Sequence, residues 1–330
     1  MAMLADIWRF HGWALLTGCV LDWILGDPYG FPHPVRLMGS MIGSLEGVLR
    51  EKMSANLKRA GFLLVVIMVL FWTVTPLLLL VILWMAARAV NGRWAPWILF
   101  AAESVACYQL LAARCLCSES MKVCRFLEKG DTEGARSAVS MIVGRDTRVL
   151  DQAGIARAAV ETVAENASDG VIAPFLFMAL LGPAGGMAYK AINTMDSMVG
   201  YTSGKYILFG RAAAKLDDAV NFLPARLSGI LLVLGAWICP GTDGKNAWRI
   251  FLRDRRKHAS PNSAHGEAAC AGALHLRLAG DAWYFGELHK KPYIGEDDRP
   301  VEPEDIRRAN RLMFLAEALL MAVLVALLLI

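Results

Sequence analysis

Residues 61–87, GFLLVVIMVLFWTVTPLLLLVILWMAA, run without a single charge. At about 1.5 Å per residue a helix of that length reaches roughly 40 Å, more than the roughly 30 Å of a bilayer's hydrocarbon core. The pattern predicts a tilted or kinked membrane span, with Pro76 as the place for a kink. The C-terminal run LMFLAEALLMAVLVALLLI, 312–330, predicts a second span, interrupted only by Glu317. Weaker apolar stretches lie at 12–25, 95–113, 171–189 and 227–239, and the third of them is broken by Pro174 and by GPAGG at 182–186. Only about eleven continuous apolar residues precede that break, too few to cross. A broken or re-entrant helix therefore stands beside two full crossings as a reading of 171–239.

Between the apolar stretches the chain is polar. A Pro- and Gly-rich loop occupies 26–39, and 40–60 reads as an amphipathic basic surface piece. A helix-prone polar tract runs from Arg114 to Asp169, polar chain returns at 190–226, and 240–311 is long and charged. The expectation is an all-α polytopic integral membrane protein, one domain over 1–330. It would have about four to six membrane-embedded helices, some broken or re-entrant, and helical cytosolic loops at 26–39, 114–170, 190–226 and 240–311.

Composition agrees with that pattern: 56% hydrophobic and 19% charged, against about 45–50% and 25% in a soluble domain. The N-terminus is not a clean signal peptide, since it lacks a basic start and carries Asp22 in its apolar stretch. A net charge of +4, dispersed along the chain, argues against a nucleic-acid partner. The seven cysteines, in or beside apolar segments, read as small buried hydrophobes. Basic residues orient the spans. Arg50, Lys52, Lys58 and Arg59 put the start of 61–87 inside, and Arg249, Arg253, Arg255, Arg256 and Lys257 put 240–311 inside.

The chemistry begins with absences. No P-loop is present, for in Gly200-Tyr-Thr-Ser-Gly204-Lys205-Tyr206 the glycines stand one residue too close. No dinucleotide fingerprint, zinc-protease motif or nucleophile elbow occurs, and the six histidines lack metal-ligand spacing. Against that background, Glu161, Glu165 and Asp169 lie four residues apart, one stripe if the helix persists. Like charges so spaced repel by a few tenths of a kcal/mol per pair. A solvated face with Arg157 as partner explains the stripe, and so does a Mg²⁺ site with Asn166 and Ser168 as neutral oxygens. Asn193 and Asp196 form a second acidic place, and Asp217, Asp218 and Asn221 a third, of the form D-D-x-x-N. Arg226, at the lip of an apolar run, calls for an anion or a partner. Glu267 opens a helix of small residues, and Trp283, Tyr284, Phe285 and Tyr293 flank Lys290 and Lys291, as an interfacial belt or as the wall of a site for a large flat ligand. Oxygen ligands and cations at several places on one membrane face suit Mg-nucleotide chemistry better than transport.

Six stretches in series resemble the adenosylcobinamide-phosphate synthases of cobalamin biosynthesis, the CobD/CbiB family. They are GDPYGFPHPVRLMG (26–39), GRDT (144–147) with AENASDGVIAPF (164–175), AYKAINTMDSMVGY (188–201), LDDAVNFLPARL (216–227), SPNS followed by EAACAGAL (260–274), and YFGELHKKPYIG (284–295). The order holds over nearly the whole chain. Two places depart: Ala264 and Gly266 stand where the family usually has Gly and Pro, and Glu296 where Asp is common. Those changes bear on turn geometry.

The resemblance implies an enzyme of the bacterial or archaeal cytoplasmic membrane, in contact with membrane lipid and with other cobamide-assembly membrane enzymes. It would be an ATP- and Mg²⁺-dependent amide ligase. Its substrates would be adenosylcobyric acid and (R)-1-amino-2-propanol or aminopropanol O-phosphate. On that basis Glu165, Asp169, Asp196 and Asp217 are the expected Mg²⁺ ligands, with Asn166 and Asn193 supporting. Arg36, Lys205 and Arg226 would bind phosphate, His33 or Glu267 would act as base, and Asn262 with the aromatics of 283–293 would face the corrinoid. The rival classes are a corrinoid transporter, which broken apolar segments favour, and a non-catalytic scaffold for cobamide assembly. One-for-one coupling of ATP hydrolysis to amide formation discriminates them.

Overall fold

The computed structural model describes residues 1–330 except Met1, Tyr29, Thr202, Ser203 and Phe285, with the side chains of 2–5 also outside the description. Helix dominates, as the hydrophobic pattern predicts. The chain divides into two compact units. The first comprises Met1–Ala112, Ala173–Asn221 and Leu324–Ile330; the second comprises Ala113–Ile172 and Phe222–Val323.

The first unit holds α1 (Ala2–Leu25), α2 (Pro34–Lys52), α3 (Leu57–Asn91), α4 (Ala95–Tyr108), and, after the intervening elements of the second unit, α8 (Ala173–Val199) and α9 (Arg211–Val220). α3 runs on through Pro76 and packs against α2, α4, α8 and α9, while α1 packs against α4 and α8. Leu77, Leu78, Leu79, Ile82 and Met85 of α3 are exposed, as a lipid-facing helix requires. The expected break in 171–189 is present at Gly182, whose backbone turns to φ 64°, ψ −165°. Pro183 has no N–H, so the carbonyl of Ala179 loses its helical donor. Trp8 of α1 supplies the replacement, its Nε1–H donating to that carbonyl at 2.9 Å. Away from water, such a freed carbonyl needs a substitute partner. Nearby, His11 Nδ1 and the buried Glu103 Oε2 pair at 2.5 Å, which accounts for a carboxylate in an apolar stretch.

The second unit holds α5 (Ala113–Glu128), α6 (Thr132–Ser140), α7 (Gln152–Asn166), α10 (Phe222–Ile238), α11 (Gly244–Asp254), α12 (Ala264–Leu274) and most of α13 (Pro303–Leu329). α7 starts where the Asp151 carboxylate accepts from the Gly154 N–H at 2.7 Å, and it ends in a π turn, Ala167–Ile172. α12 is mostly Ala and Gly, so α7, α10 and α11 all pack closely against it. A Cβ on Gly266 would lie well inside contact distance of the Ala164 carbonyl oxygen. The departure from proline there thus matches a close helix–backbone approach.

The charged stretch 240–311 departs from the helical loops expected of it. It carries four short strands, β1 (Arg277–Ala279), β2 (Ala282–Tyr284), β3 (Glu287–His289) and β4 (Tyr293–Gly295). β1 pairs antiparallel with β4 and β2 with β3, so one hairpin is nested inside the other. Two residues separate β1 from β2 and three separate β3 from β4, a bulge that re-aims the inner hairpin. Ala279 sits at that bulge with φ 58°. Strands of three residues are too short to show an alternation in sequence.

Among the described residues four helical stretches are long and apolar enough to cross a membrane: Ser54–Asn91, Ala95–Glu128, Gln152–Val199 and Pro303–Leu329. A fifth arises if α9 and α10 count as one. The protein is an all-α polytopic membrane protein with minor strand content.

Candidate active site

One mostly polar cavity of about 140 Å³ lies wholly within the second unit. Its floor is a stripe of α7 with helical spacing: Ala158, Glu161, Thr162, Glu165 and Asn166. Glu267 enters from α12, Arg145 from the loop before α7, and His258 from the loop between α11 and α12. Ala279, Gly280, Tyr284 and Lys291 come from the hairpin. The loop and the hairpin are clasped together by Asp146: its carboxylate accepts from the Gly286 N–H at 2.8 Å and its own N–H donates to the Trp283 carbonyl at 2.9 Å.

Glu161 and Glu165 therefore share a face, as their spacing predicts. The partner of Glu161 is not Arg157. Arg145 pairs with its Oε2 at 2.8 Å, and the Ala279 N–H donates to Oε1 at 2.7 Å. That hydrogen bond helps hold Ala279 in a left-handed conformation that costs a non-glycine residue about 1 kcal/mol or more. Asp169 does not line the cavity. It stands on the π turn, which breaks the α-helical register after Asn166.

Glu267 is 5% exposed, and its Oε2 has no hydrogen-bond partner among the described residues. Burial first, then the charges of Glu165 and Glu161, push its carboxyl well above the ordinary carboxylate range. His258 is pulled down instead, because burial outweighs the attraction of Glu165. Lys291 donates to the Tyr284 hydroxyl at 2.7 Å and lies over that ring. Three carboxylates, two cations and an imidazole in one enclosure can hold a metal–phosphate group and move a proton. Among the described residues no three His, Cys, Asp or Glu side chains form a ready-made metal cluster. Mg²⁺ commonly keeps several waters and takes one or two carboxylates, so one or two suffice.

The other expected site residues fall as follows. Asn166 lines the cavity, its amide donating to the Thr162 carbonyl at 2.9 Å. Arg226 and Asn262 lie together in the second unit, Nη1 to Oδ1 at 3.4 Å, away from the cavity lining. The others belong to the first unit. Asp217 is buried and accepts from Asn221 at 3.0 Å and Asn193 at 3.5 Å; Asn221 in turn accepts from the Tyr189 hydroxyl. Asp217 and Asn221 of D-D-x-x-N thus meet each other. Asp196 lies at the end of α8, its carboxylate folded against Gly200. His33 caps α2, its Nδ1 accepting from the Val35 N–H at 3.3 Å, with Nε2 3.4 Å from Asp27. Arg36 is exposed and donates to the Phe31 carbonyl. Lys205 is mostly exposed, 3.8 Å from Glu46 and over the Tyr206 ring. Of the aromatics near the lysines, Tyr284 lines the cavity, Trp283 and Tyr293 are exposed, and Phe285 lies outside the described residues.

Sequence reasoning passed over Arg145, His258 and Lys291 as site residues. Arg145 had a signal in the GRDT stretch, and Lys291 in its aromatic flanks; His258 had none beyond being a histidine near Ser260-Pro261-Asn262. Glu296, at the second departure, reaches Arg249 and Arg253 together, and the longer side chain suits that double pairing.

Comparison with known proteins closes the question of family. The family model described as CobD/Cbib protein matches residues 15–313. The cobalamin biosynthesis protein CobD of Streptococcus sanguinis is 47% identical over 306 residues, 91% of this chain and 92% of that protein. The CobD of Desulfotalea psychrophila is 44% identical over 322 residues, 93% and 94% of the two chains. The cobalamin biosynthesis protein CbiB of Salmonella typhimurium is 43% identical over 310 residues, again 93% and 94%. No solved structure matches. With a model match over most of its length and relatives this similar from end to end, the chain belongs to the CobD/CbiB family.

Proposed function

We propose that the protein is an ATP- and Mg²⁺-dependent amide ligase of cobalamin biosynthesis. It joins (R)-1-amino-2-propanol or its O-phosphate to a propionate carboxylate of adenosylcobyric acid. The observation that carries this reading is the cavity in which Glu161, Glu165 and Glu267 meet Arg145, Lys291 and His258. A carboxylate is a poor acylating agent, so it must first gain a leaving group. A propionate oxygen attacks the γ-phosphorus and ADP departs. The amine nitrogen then attacks the acyl carbon, the C–N bond forms, the C–O bond breaks and phosphate leaves.

Bound Mg²⁺ would neutralise triphosphate charge during the first step. The residues fit it: Glu267 Oε2 is buried without a hydrogen-bond partner among the described residues, and a cation would relieve the like charges around it. Glu165 is the leading ligand. Arg145 and Lys291 hold phosphate oxygens. Glu267, whose affinity for protons is raised by burial, takes the amine's proton. We place the enzyme in the cytoplasmic membrane with its polar loops cytosolic, beside other cobamide-assembly enzymes.

The test is mass spectrometry on detergent-purified protein given adenosylcobyric acid, MgATP and either amine. Amide and ADP are expected in equal amounts, and Glu165→Gln should cut turnover at least about 10²-fold. The broken helix α8 beside the His11–Glu103 pair is what a corrinoid transporter reading rests on. Corrinoid binding with no amide from either amine would favour it.

A further inference from the structure

The loop between α11 and α12 fixes one more role. We propose that His258 serves amide formation as a hydrogen-bond donor, presenting Nε2–H to the oxygen that gains negative charge in the cavity, and is not the base. This rests on the reading of the cavity as the ligase site.

The Ser260 N–H points at His258 Nδ1 from 3.0 Å. A backbone N–H can only donate, so Nδ1 must present its lone pair and the single ring proton sits on Nε2. The ring lines the cavity with Glu161 and Glu165 of α7, Glu267 of α12, Arg145 of the preceding loop and Lys291 of the hairpin. With Nδ1 accepting from the backbone, Nε2 is the ring's donor, and on the cavity wall it can give a hydrogen bond to a substrate oxygen. The lone pair a base needs is already engaged. Burial favours the neutral ring in spite of Glu165. Such a neutral imidazole can polarise a carbonyl without giving its proton away.

The chemistry balances without net proton transfer through the ring. As the amine nitrogen attacks, the carbonyl electrons move onto oxygen, and Nε2–H donates to that oxyanion. The C–O bond to phosphate breaks, the carbonyl reforms, and the amine's proton goes to a carboxylate. His258 ends with the proton it started with.

Three full-length variants test this. A Gln side chain places its amide nitrogen near Nε2, whereas Asn reaches only the region of Nδ1. His258→Ala and His258→Asn should lower kcat about 10²- to 10³-fold, the loss seen when an oxyanion donor is removed. His258→Gln should recover to within about tenfold of the parent and keep the acid limb of its pH profile. A readout independent of turnover is the nitrogen spectrum of ¹⁵N-histidine-labelled protein, parent against His258→Asn. The missing ring should be the Nε2–H tautomer from pH 6 to 8. Glutamine as inactive as alanine with the acid limb lost, or an Nδ1–H tautomer in a parent that makes amide, would overturn the role. A parent that shows Nε2–H but forms no amide would overturn the reaction assigned to the cavity, and this role with it.

Discussion

Asp254 illustrates how single residues hold the cavity's surroundings in place. It is fully buried at the end of α11. Burial works against its ionisation, yet Arg253 at 2.8 Å, Lys257 at 2.7 Å and the Gly295 N–H at 2.8 Å hold its carboxyl down at about 2. Its folded value lies below the ordinary carboxylate value of about 3.9. The stabilisation is therefore present above about pH 4 and lost as pH falls toward 2. Asp254→Asn should lower stability by about 2 kcal/mol at pH 7, and the gap to the parent should narrow through that acid window. Parallel thermal melts at stepped pH measure it. A gap that stays constant from pH 7 to 3 would show that the carboxylate's charge contributes nothing. At this same scale the sequence was only partly legible. Spacing placed Glu161 with Glu165, but it offered Arg157 as partner, four residues away on the same helix. Arg145 wins because the loop carrying it is clasped to the hairpin through Asp146, a tertiary contact with no local signal.

At the scale of elements, close backbone approach decides where glycine is required. Gly266 lets α12 reach the Ala164 carbonyl of α7 next to Glu267. Gly43, on the exposed side of α2, has nothing within 4 Å of where a Cβ would stand. Gly266→Ala should cost about 2 kcal/mol or more, through the forced separation of two helices. Gly43→Ala should raise stability by up to about 1 kcal/mol. Melting temperatures of the two variants moving in the same direction would contradict this packing. Long elements were readable for a physical reason. The charge-free run in α3 and the broken α8 announce themselves over many residues, and GPAGG marks the place of the break. The hairpin was not readable, because three-residue strands carry no periodicity and their bulge depends on Ala279 and Gly280. The π turn was equally silent, and it is what takes Asp169 out of the acidic stripe.

For the whole molecule, the apolar spans and the family were written along the chain, while the chemistry depends on how distant stretches meet. The loop before α7, α7 itself, the loop between α11 and α12, α12 and the hairpin each contribute to one cavity, from Ile142 to Lys291 along the chain. The proposed orientation puts 240–311 in the cytosol. Lys290→Cys, at an exposed position, should react with a membrane-impermeant maleimide in inverted vesicles and not in intact cells. Labelling of intact cells would reverse the topology.

In the proposed reaction a propionate carboxylate is activated by phosphoryl transfer before the amine attacks. The most direct measurement supplies adenosylcobyric acid with ¹⁸O in that carboxylate, together with MgATP and the amine, and follows the label into every product. Activation by phosphoryl transfer puts one ¹⁸O in the inorganic phosphate released with each amide and leaves the other in the amide carbonyl. Amide formed with no ¹⁸O in phosphate would contradict it.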